Sequence, residues 1–335
     1  MSGEPTTTAT TGGAGPVGPG PVGAGAVGRT DRAGGLFRGL AVGSGVLILA
    51  VLAAVAGFLL LEAVPALTAS PEELGALSWM PDDGSLWGYI GPLAFGTVLA
   101  AVVALALAVP VSIGIALFIS HYAPRRLAHA LGYLVDLLAA IPSVVYGLWG
   151  ALWLAPRLQG PWTWLADNLG FIPLFAGPAS TPPRVAATVG VVLAVMILPI
   201  VTAVSREVFL ATPRLHEEAA LALGATRWEM VRMAVLPFGR SGVISASMLG
   251  LGRALGETMA VLMILGPGLT YSLALLQVGR HQTIAANIAL QFPEASGLGV
   301  SALIATGLAL FVITLLVNMA ARWVVARRAA FSGAN

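Results

Sequence analysis

Residues 217–261 read EEAALALGATRWEMVRMAVLPFGRSGVISASMLGLGRALGETMAV. A polar, helix-prone segment opens on Glu217 and Glu218, passes Gly224 and reaches Leu236-Pro237. It then runs straight into an apolar span that holds Arg253 and Glu257. The surrounding chain is far less polar. Over 335 residues, 57% are hydrophobic and 10% are charged, with a mean hydropathy of +0.89. Soluble domains carry about 25% charged residues, so this is an integral membrane protein. The quoted stretch is where such a chain meets a cytosolic partner, and where it carries charge into the bilayer.

Composition excludes several chemistries. Cysteine is absent, which removes disulfides and thiolate metal sites. All seventeen basic residues are Arg. A P-loop needs a Lys on the nucleotide phosphates, and Schiff-base chemistry needs a Lys amine; both are excluded. The net charge of +2 and pI of about 9.4 are better read loop by loop in a membrane protein than as a nucleic-acid signal. No nucleic-acid partner is expected.

Residues 1–38 form the first segment. Up to residue 28 they are mostly Thr, Gly, Pro and Ala, cannot bury enough apolar surface to offset ordering entropy, and are expected to be a disordered cytoplasmic tail. Residues 39–325 form the membrane domain, and 326–335 a short cytoplasmic C-terminal tail. Six spans of about 20 residues or more are expected: Gly39–Leu61, Pro92–Ile119, Leu131–Ala155, Val185–Val204, Ser241–Gly266 and Leu298–Ala320. Pro110, Pro142 and Pro199 are expected to kink their spans, not end them. With the N-terminus in the cytoplasm, thirteen arginines fall on the inside and three, Arg157, Arg184 and Arg280, on the outside. That positive-inside bias puts both termini in the cytoplasm. Trp79, Trp87, Tyr89, Trp162 and Trp164 then fall near outer membrane ends, as an aromatic belt would.

The cytosolic loop at 206–240 is more than a linker. Thr212-Pro213 is a helix start, with Thr as cap and Pro at the first helical position. Gly224 permits a left-handed bend. Ala225–Leu236 reads as a second short helix stopped by Pro237. An amphipathic hairpin lying on lipid is disfavoured by Glu207, Glu217, Glu218 and Glu229, which would face an anionic leaflet. The small Ala219, Ala220, Ala222 and Ala225 suit packing into a protein groove.

This loop resembles the EAA loop of ABC importer permeases: E-A-A, three residues, G, nine residues, then I-x-L-P. Here it is Glu218-Ala219-Ala220, Gly224, then Ala234-Val235-Leu236-Pro237, with Ala234 as the one departure. The resemblance implies a coupling helix that sits in a cleft of an ATP-hydrolysing subunit, and assigns ATPase coupling to Glu217, Glu218, Ala219, Ala220, Gly224, Leu236 and Pro237.

Arg253 and Glu257 are four residues apart, a spacing that shares one face of a continuous helix. Arg253 lies twelve residues past Ser241, roughly 18 Å along a helix and near mid-membrane. An Arg at the centre costs about 2.5–3.5 kcal/mol, and the nine Leu, Ile and Val of the span return about 3–5 kcal/mol together. With a Glu of similar cost the span is marginal alone, so this face turns toward protein or water. One reading is a self-neutralising salt bridge, although Arg before Glu is the weaker order. The other is a transport role, in which the guanidinium fork holds two oxygens of a tetrahedral oxyanion.

The runs GLGRALGETMAV at 250–261, DLLAAIPSVVYGLWG at 136–150 and SREVF at 205–209 resemble the PstC-type permeases of the phosphate-specific ABC transporter, a likeness covering about residues 40–325. It implies an all-α, type I importer permease fold with six transmembrane helices, in the bacterial plasma (inner) membrane and in contact with membrane lipid. It implies as partners a second permease subunit of PstA type, an ATP-binding subunit dimer, an extracytoplasmic phosphate-binding protein, and inorganic phosphate as substrate. ATP and Mg would sit on the partner ATPase; no cofactor is expected on this chain, which would be non-catalytic. The resemblance also marks Arg253 and Glu257 as transport-pathway residues. Other readings are a permease for molybdate, sulfate or phosphonate, and a secondary transporter using Glu257 as a proton site.

Smaller features have plainer readings. Asp136 is a helix-end carboxylate reaching interfacial water. His121 and His129 read as solvated loop residues. Gly242, Gly250, Gly252 and Gly256 give the fifth span a small-residue face suited to a neighbouring permease.

Overall fold

The computed structural model describes residues 31–329. Most of the tail expected over 1–38, and the end of that expected over 326–335, lie outside the described residues. The chain divides into two units, residues 1–54 and 55–335. Helix α1 spans Asp31–Thr68. It starts inside the segment assigned to the tail, because extending a nucleated helix adds one hydrogen bond per residue fixed.

The second unit holds the other elements. After α2 (Pro71–Gly75) comes α3 (Leu86–Leu117), extended by a π turn at Phe118–Tyr122. Next are α4 (Arg125–Ala139), α5 (Ser143–Trp149) and α6 (Ala155–Leu169). They are followed by α7 (Ala186–Leu210), α8 (Arg214–Ala222), α9 (Arg227–Met230) and α10 (Leu236–Leu255). The last are α11 (Met259–Ile264), α12 (Ile284–Gln291) and α13 (Leu298–Ala329). No strand occurs among the described residues. Five helical stretches are long and apolar enough to cross a membrane: Phe37–Thr68, Leu86–Tyr122, Ala186–Leu210, Arg227–Leu255 and Leu298–Trp323. A sixth candidate is a pair of helical stretches, Arg125–Ala139 and Ser143–Leu169, bent by 91°, which has the form of a broken span or of a re-entrant loop.

The centre of the unit is the packing of α3 on α7. Gly96, Ala100, Ala104, Ala108, Ser112 and Ala116 recur every fourth residue on α3, and all are buried. With only small side chains on that stripe, the backbones approach closely. Gly190 of α7 faces Val103 so tightly that an added Cβ would lie 2.4 Å from its methyl carbon. Ser112 donates to the Leu198 carbonyl at 3.1 Å, pinning the two helices together. α10 lies on the same core. The glycine face expected to meet another subunit is partly used here: Gly242 packs against Val208 and Gly250 against Val201, both of α7.

Two expected spans, the third and the fifth, and the loop helix ahead of Pro237 differ in detail. Pro110 and Pro199 lie inside continuous helices, as expected. Pro142 does not: α4 ends at Ala139 and α5 begins at Ser143. Proline clashes with the carbonyl four residues back, here Leu138. That carbonyl instead accepts the Tyr146 hydroxyl at 2.9 Å, which stabilises the break. Pro237, expected to stop a helix, is instead near the start of α10, in one apolar stretch from Arg227 to Leu255. The preceding turn, Val231–Val235, is a π turn in which the Leu236 N–H reaches back to the Val231 carbonyl. This wider turn gives the proline ring room. The fifth span ends at Leu255, not Gly266, and a short α11 follows.

Candidate functional site

Two regions carry the candidate residues. The first is the knob formed by α8 and α9. Pro213 is the residue before α8, one place later than the expected Thr212 cap, and the Thr212 hydroxyl makes no cap. Gly224 has φ +86°, the left-handed bend expected of it. Its N–H donates to the Leu221 carbonyl at 3.0 Å. Thr226 caps α9, and Glu229 reaches back to the Thr226 N–H at 2.7 Å, completing a capping box.

Burial sorts the proposed coupling residues. Ala220 is buried and anchors α8 beside Phe209, Met230 and Val231. Glu218, Ala219 and Gly224 are exposed on the outer side, Leu236 is half-buried and Pro237 exposed. Glu217 turns inward: its Oε1 lies 3.4 Å from Nε2 of His121, whose side chain is 7% exposed. Ser120 Oγ sits 2.6 Å from the other His121 ring nitrogen. His121 is therefore not a solvated loop residue; it ties the C-terminal end of α3 to α8. Asp136 is exposed as expected and lies 4.0 Å from Arg206.

Sequence reasoning missed the knob's apolar surface. Leu223 is 89% exposed, Leu215 73% and Trp228 56%. Large apolar side chains this exposed on a polar knob suit an interaction surface, toward protein or toward membrane. Their signal was present in the sequence, but leucines in a helix-prone run read equally well as inward-facing.

The second region is the end of α10. The helix stops at Leu255 and Gly256 caps it. Arg253 and Glu257 therefore do not share a helical face, and no ion pair joins them among the described residues. Glu257 is 7% exposed; its carboxylate accepts the Ala260 N–H at 3.1 Å, at the start of α11. A carboxylate there meets otherwise unsatisfied backbone donors. Arg253 lies in the last turn of α10, not midway along its span as expected, and lines a cavity of about 820 Å³ between α7, α10 and α13. Ile200, Ser245, Leu249, Asn318 and Arg322 are among its walls. Gly252 also lines it, and a Cβ there would meet nothing within 4 Å.

Comparison with known proteins fits this arrangement. Residues 108–330 match the family described as binding-protein-dependent transport system inner membrane component. The phosphate transport system permease protein PstC 2 of Mycobacterium tuberculosis is 49% identical over 296 residues, covering 86% of this chain and 90% of that protein. PstC of Mycobacterium leprae is 50% identical, covering 79% of this chain and 84% of its own length. PstC of Xylella fastidiosa is 43% identical, with 74% and 76% covered. Among solved structures, a chain of the MetNI methionine ABC transporter superposes with a TM-score of 0.45 at 16% identity, covering 72% of this chain and 93% of that one. That last likeness is too distant to carry argument. The chain belongs to the binding-protein-dependent transport system inner membrane components, and within them to the PstC permeases.

Proposed function

We propose that this chain is the membrane-spanning permease subunit of an ATP-driven inorganic phosphate importer. It forms half of the translocation pathway; a second permease of PstA type forms the other half. The carrying observation is Arg253, in the last turn of an apolar span, with no acidic partner among the described residues and lining a cavity. Such a group is costly in lipid and is retained for function; its planar fork fits a tetrahedral oxyanion. The mycobacterial relatives are named for phosphate transport, which supplies the identity of the anion.

In this reading the knob docks on a dimer of ATP-binding subunits, with Glu218, Ala219, Leu223 and Trp228 at the contact and Ala220 and Glu217 holding α8 to the membrane domain. ATP and Mg²⁺ are held by those subunits, and this chain takes no cofactor and performs no catalysis. An extracytoplasmic phosphate-binding protein delivers the anion at the opposite end. Both termini lie in the cytoplasm, as the arginine distribution supports. The test is uptake of labelled phosphate by vesicles holding the assembled transporter. Uptake should require ATP and be competed by phosphate but not by sulfate or molybdate. ATP-independent uptake, or equal competition by sulfate, would overturn the proposal.

A further inference from the structure

The break between Arg253 and Glu257 leaves a mechanistic gap. A lone guanidinium that holds an oxyanion in a dry path binds it too well to release. A carboxylate on the same face could compete for it, but Glu257 is occupied by the N–H of Ala260. Release must come from elsewhere in the cavity that Arg253 faces. Conduction through such paths relies on several adjacent weak sites, not one strong one.

The opposite wall of that cavity is α13, which contributes Asn318, Ala321 and Arg322. Arg322 lies near the end of the last apolar stretch. An arginine there can reach headgroups along its own stem with no further role. Asn318 cannot, since it sits one turn deeper and its side chain is short. It is exposed, yet makes no hydrogen bond among the described residues. An unsatisfied amide facing hydrocarbon is costly, so this face is covered by water or protein. Ser245 of α10 lines the same space. The described walls thus hold two guanidiniums, an amide and a hydroxyl, and no carboxylate. That donor set suits an oxyanion and repels cations.

We infer that Asn318 and Arg322 form a second oxyanion station, on the side of the cavity toward the end of α13, which receives phosphate from Arg253 and passes it to the cytosol. The inference rests on reading the chain as an importer permease. Arg322 supplies a competing charge, and Asn318, one turn away on the same helix, donates from its amide. The same chemistry could hold a phospholipid headgroup, and the experiment separates the two sources.

The chain has no native cysteine, so Ala321→Cys places a single thiol in the cavity. The assembled transporter, with cysteine-free partners, is reconstituted in phosphatidylcholine vesicles with and without phosphatidylglycerol. A negatively charged thiosulfonate reagent should react faster than a positively charged one, on the order of tenfold. Inorganic phosphate should slow it, and adding Arg322→Gln or Asn318→Leu should weaken both effects. In the native-cysteine-free chain, Arg322→Gln should lower the maximal uptake rate several-fold with the half-saturating concentration unchanged, and Arg322→Lys should restore most of it. No reaction with either reagent, equal rates for both, or indifference to phosphate would overturn the station. So would protection that follows phosphatidylglycerol instead of phosphate, because the occupant would then be a headgroup. Protection by sulfate equal to that by phosphate would uphold an anion station while removing phosphate as the substrate.

Discussion

Gly224 offers the sharpest test of the knob, because its surroundings leave only one cost to consider. Its φ is +86°, and a Cβ built there meets nothing within 4 Å. Gly224→Ala therefore introduces no clash with other parts of the chain, and its penalty is backbone strain alone. Placing an L-residue in the left-handed region costs about 1–2 kcal/mol. That corresponds to about a 5–30-fold loss in the ratio of correctly bent to misfolded knob. Gly224→Asn should cost less, since Asn tolerates this region. Gly224→Pro should cost most: its ring fixes φ near −65° and removes the N–H that reaches the Leu221 carbonyl at 3.0 Å. The expected order is Gly, Asn, Ala, Pro, from best to worst, in phosphate uptake per ATP hydrolysed by the assembled transporter in vesicles. Subunit content would be checked by co-purification. Normal coupling in an assembled Gly224→Pro transporter would show that the bend is not needed, and the docking role of the knob would fall with it.

Three further outcomes follow from the structure. Arg253→Gln should abolish uptake with assembly intact and Arg253→Lys should restore only part, since Lys lacks the planar fork; Glu257→Gln keeps an oxygen for Ala260 and should be mild, whereas Glu257→Ala removes a cap and should cost about 1 kcal/mol of thermal stability. His121→Ala and Glu217→Ala should each lower uptake per ATP, and the double variant should be no worse than either single one; additive losses in this cycle would show that the 3.4 Å contact couples nothing. The loop between α11 and α12 should loosen in acid, because burial lowers the pKa of His281, against a raising hydrogen bond from Nε2 to the Ser272 carbonyl and with a smaller lowering from Arg280. With the folded pKa below the unfolded one, the unfolded loop binds more protons, so its stability is full above about pH 6.5 and declines as pH falls through the window below it. Hydrogen exchange across 265–283 at two pH values would show this, and His281→Gln should flatten the difference.

The sequence carried the class of fold because apolar length is a local quantity that no tertiary contact can reverse. It carried the bend at Gly224 for a similar reason: glycine at the end of a polar helical run has few other uses. The four-residue small stripe from Gly96 to Ala116 was equally legible in principle, being a strict repeat within an uncharged span. What it did not carry were directions. Glu217 and Glu218 are adjacent and chemically alike, yet one faces His121 and the other faces outward; only the rotation of α8 about its axis, set by burying Ala220, distinguishes them. The Arg253–Glu257 spacing misled because it assumes a helix that continues, and four-residue spacing has no meaning across a cap.

Pro142 and Pro237 show why such interruptions resist reading from sequence. Both sit in apolar runs, both lack an N–H, and both would clash with the carbonyl four residues back if the helix stayed regular. In one case the chain turns by 91°; in the other the helical stretch passes from Arg227 to Leu255. The difference lies in what the neighbouring residues do with the freed groups. Ahead of Pro237 the turn widens, and the Leu236 N–H bonds five residues back to Val231, whose side chain is fully buried against the α3 and α7 core. That buried anchor keeps the helix axis in place while the ring is accommodated. Around Pro142 the Leu138 carbonyl accepts the Ile141 N–H at 3.3 Å and the Tyr146 hydroxyl at 2.9 Å, the latter reaching across the right-angle bend from α5. A tyrosine four residues after one proline and a buried valine six residues before the other decide the two outcomes. The bent pair and the continuous helix that result place α5 against α11, and so set the ground on which Glu257 starts that helix and Arg253 is left free to face the cavity.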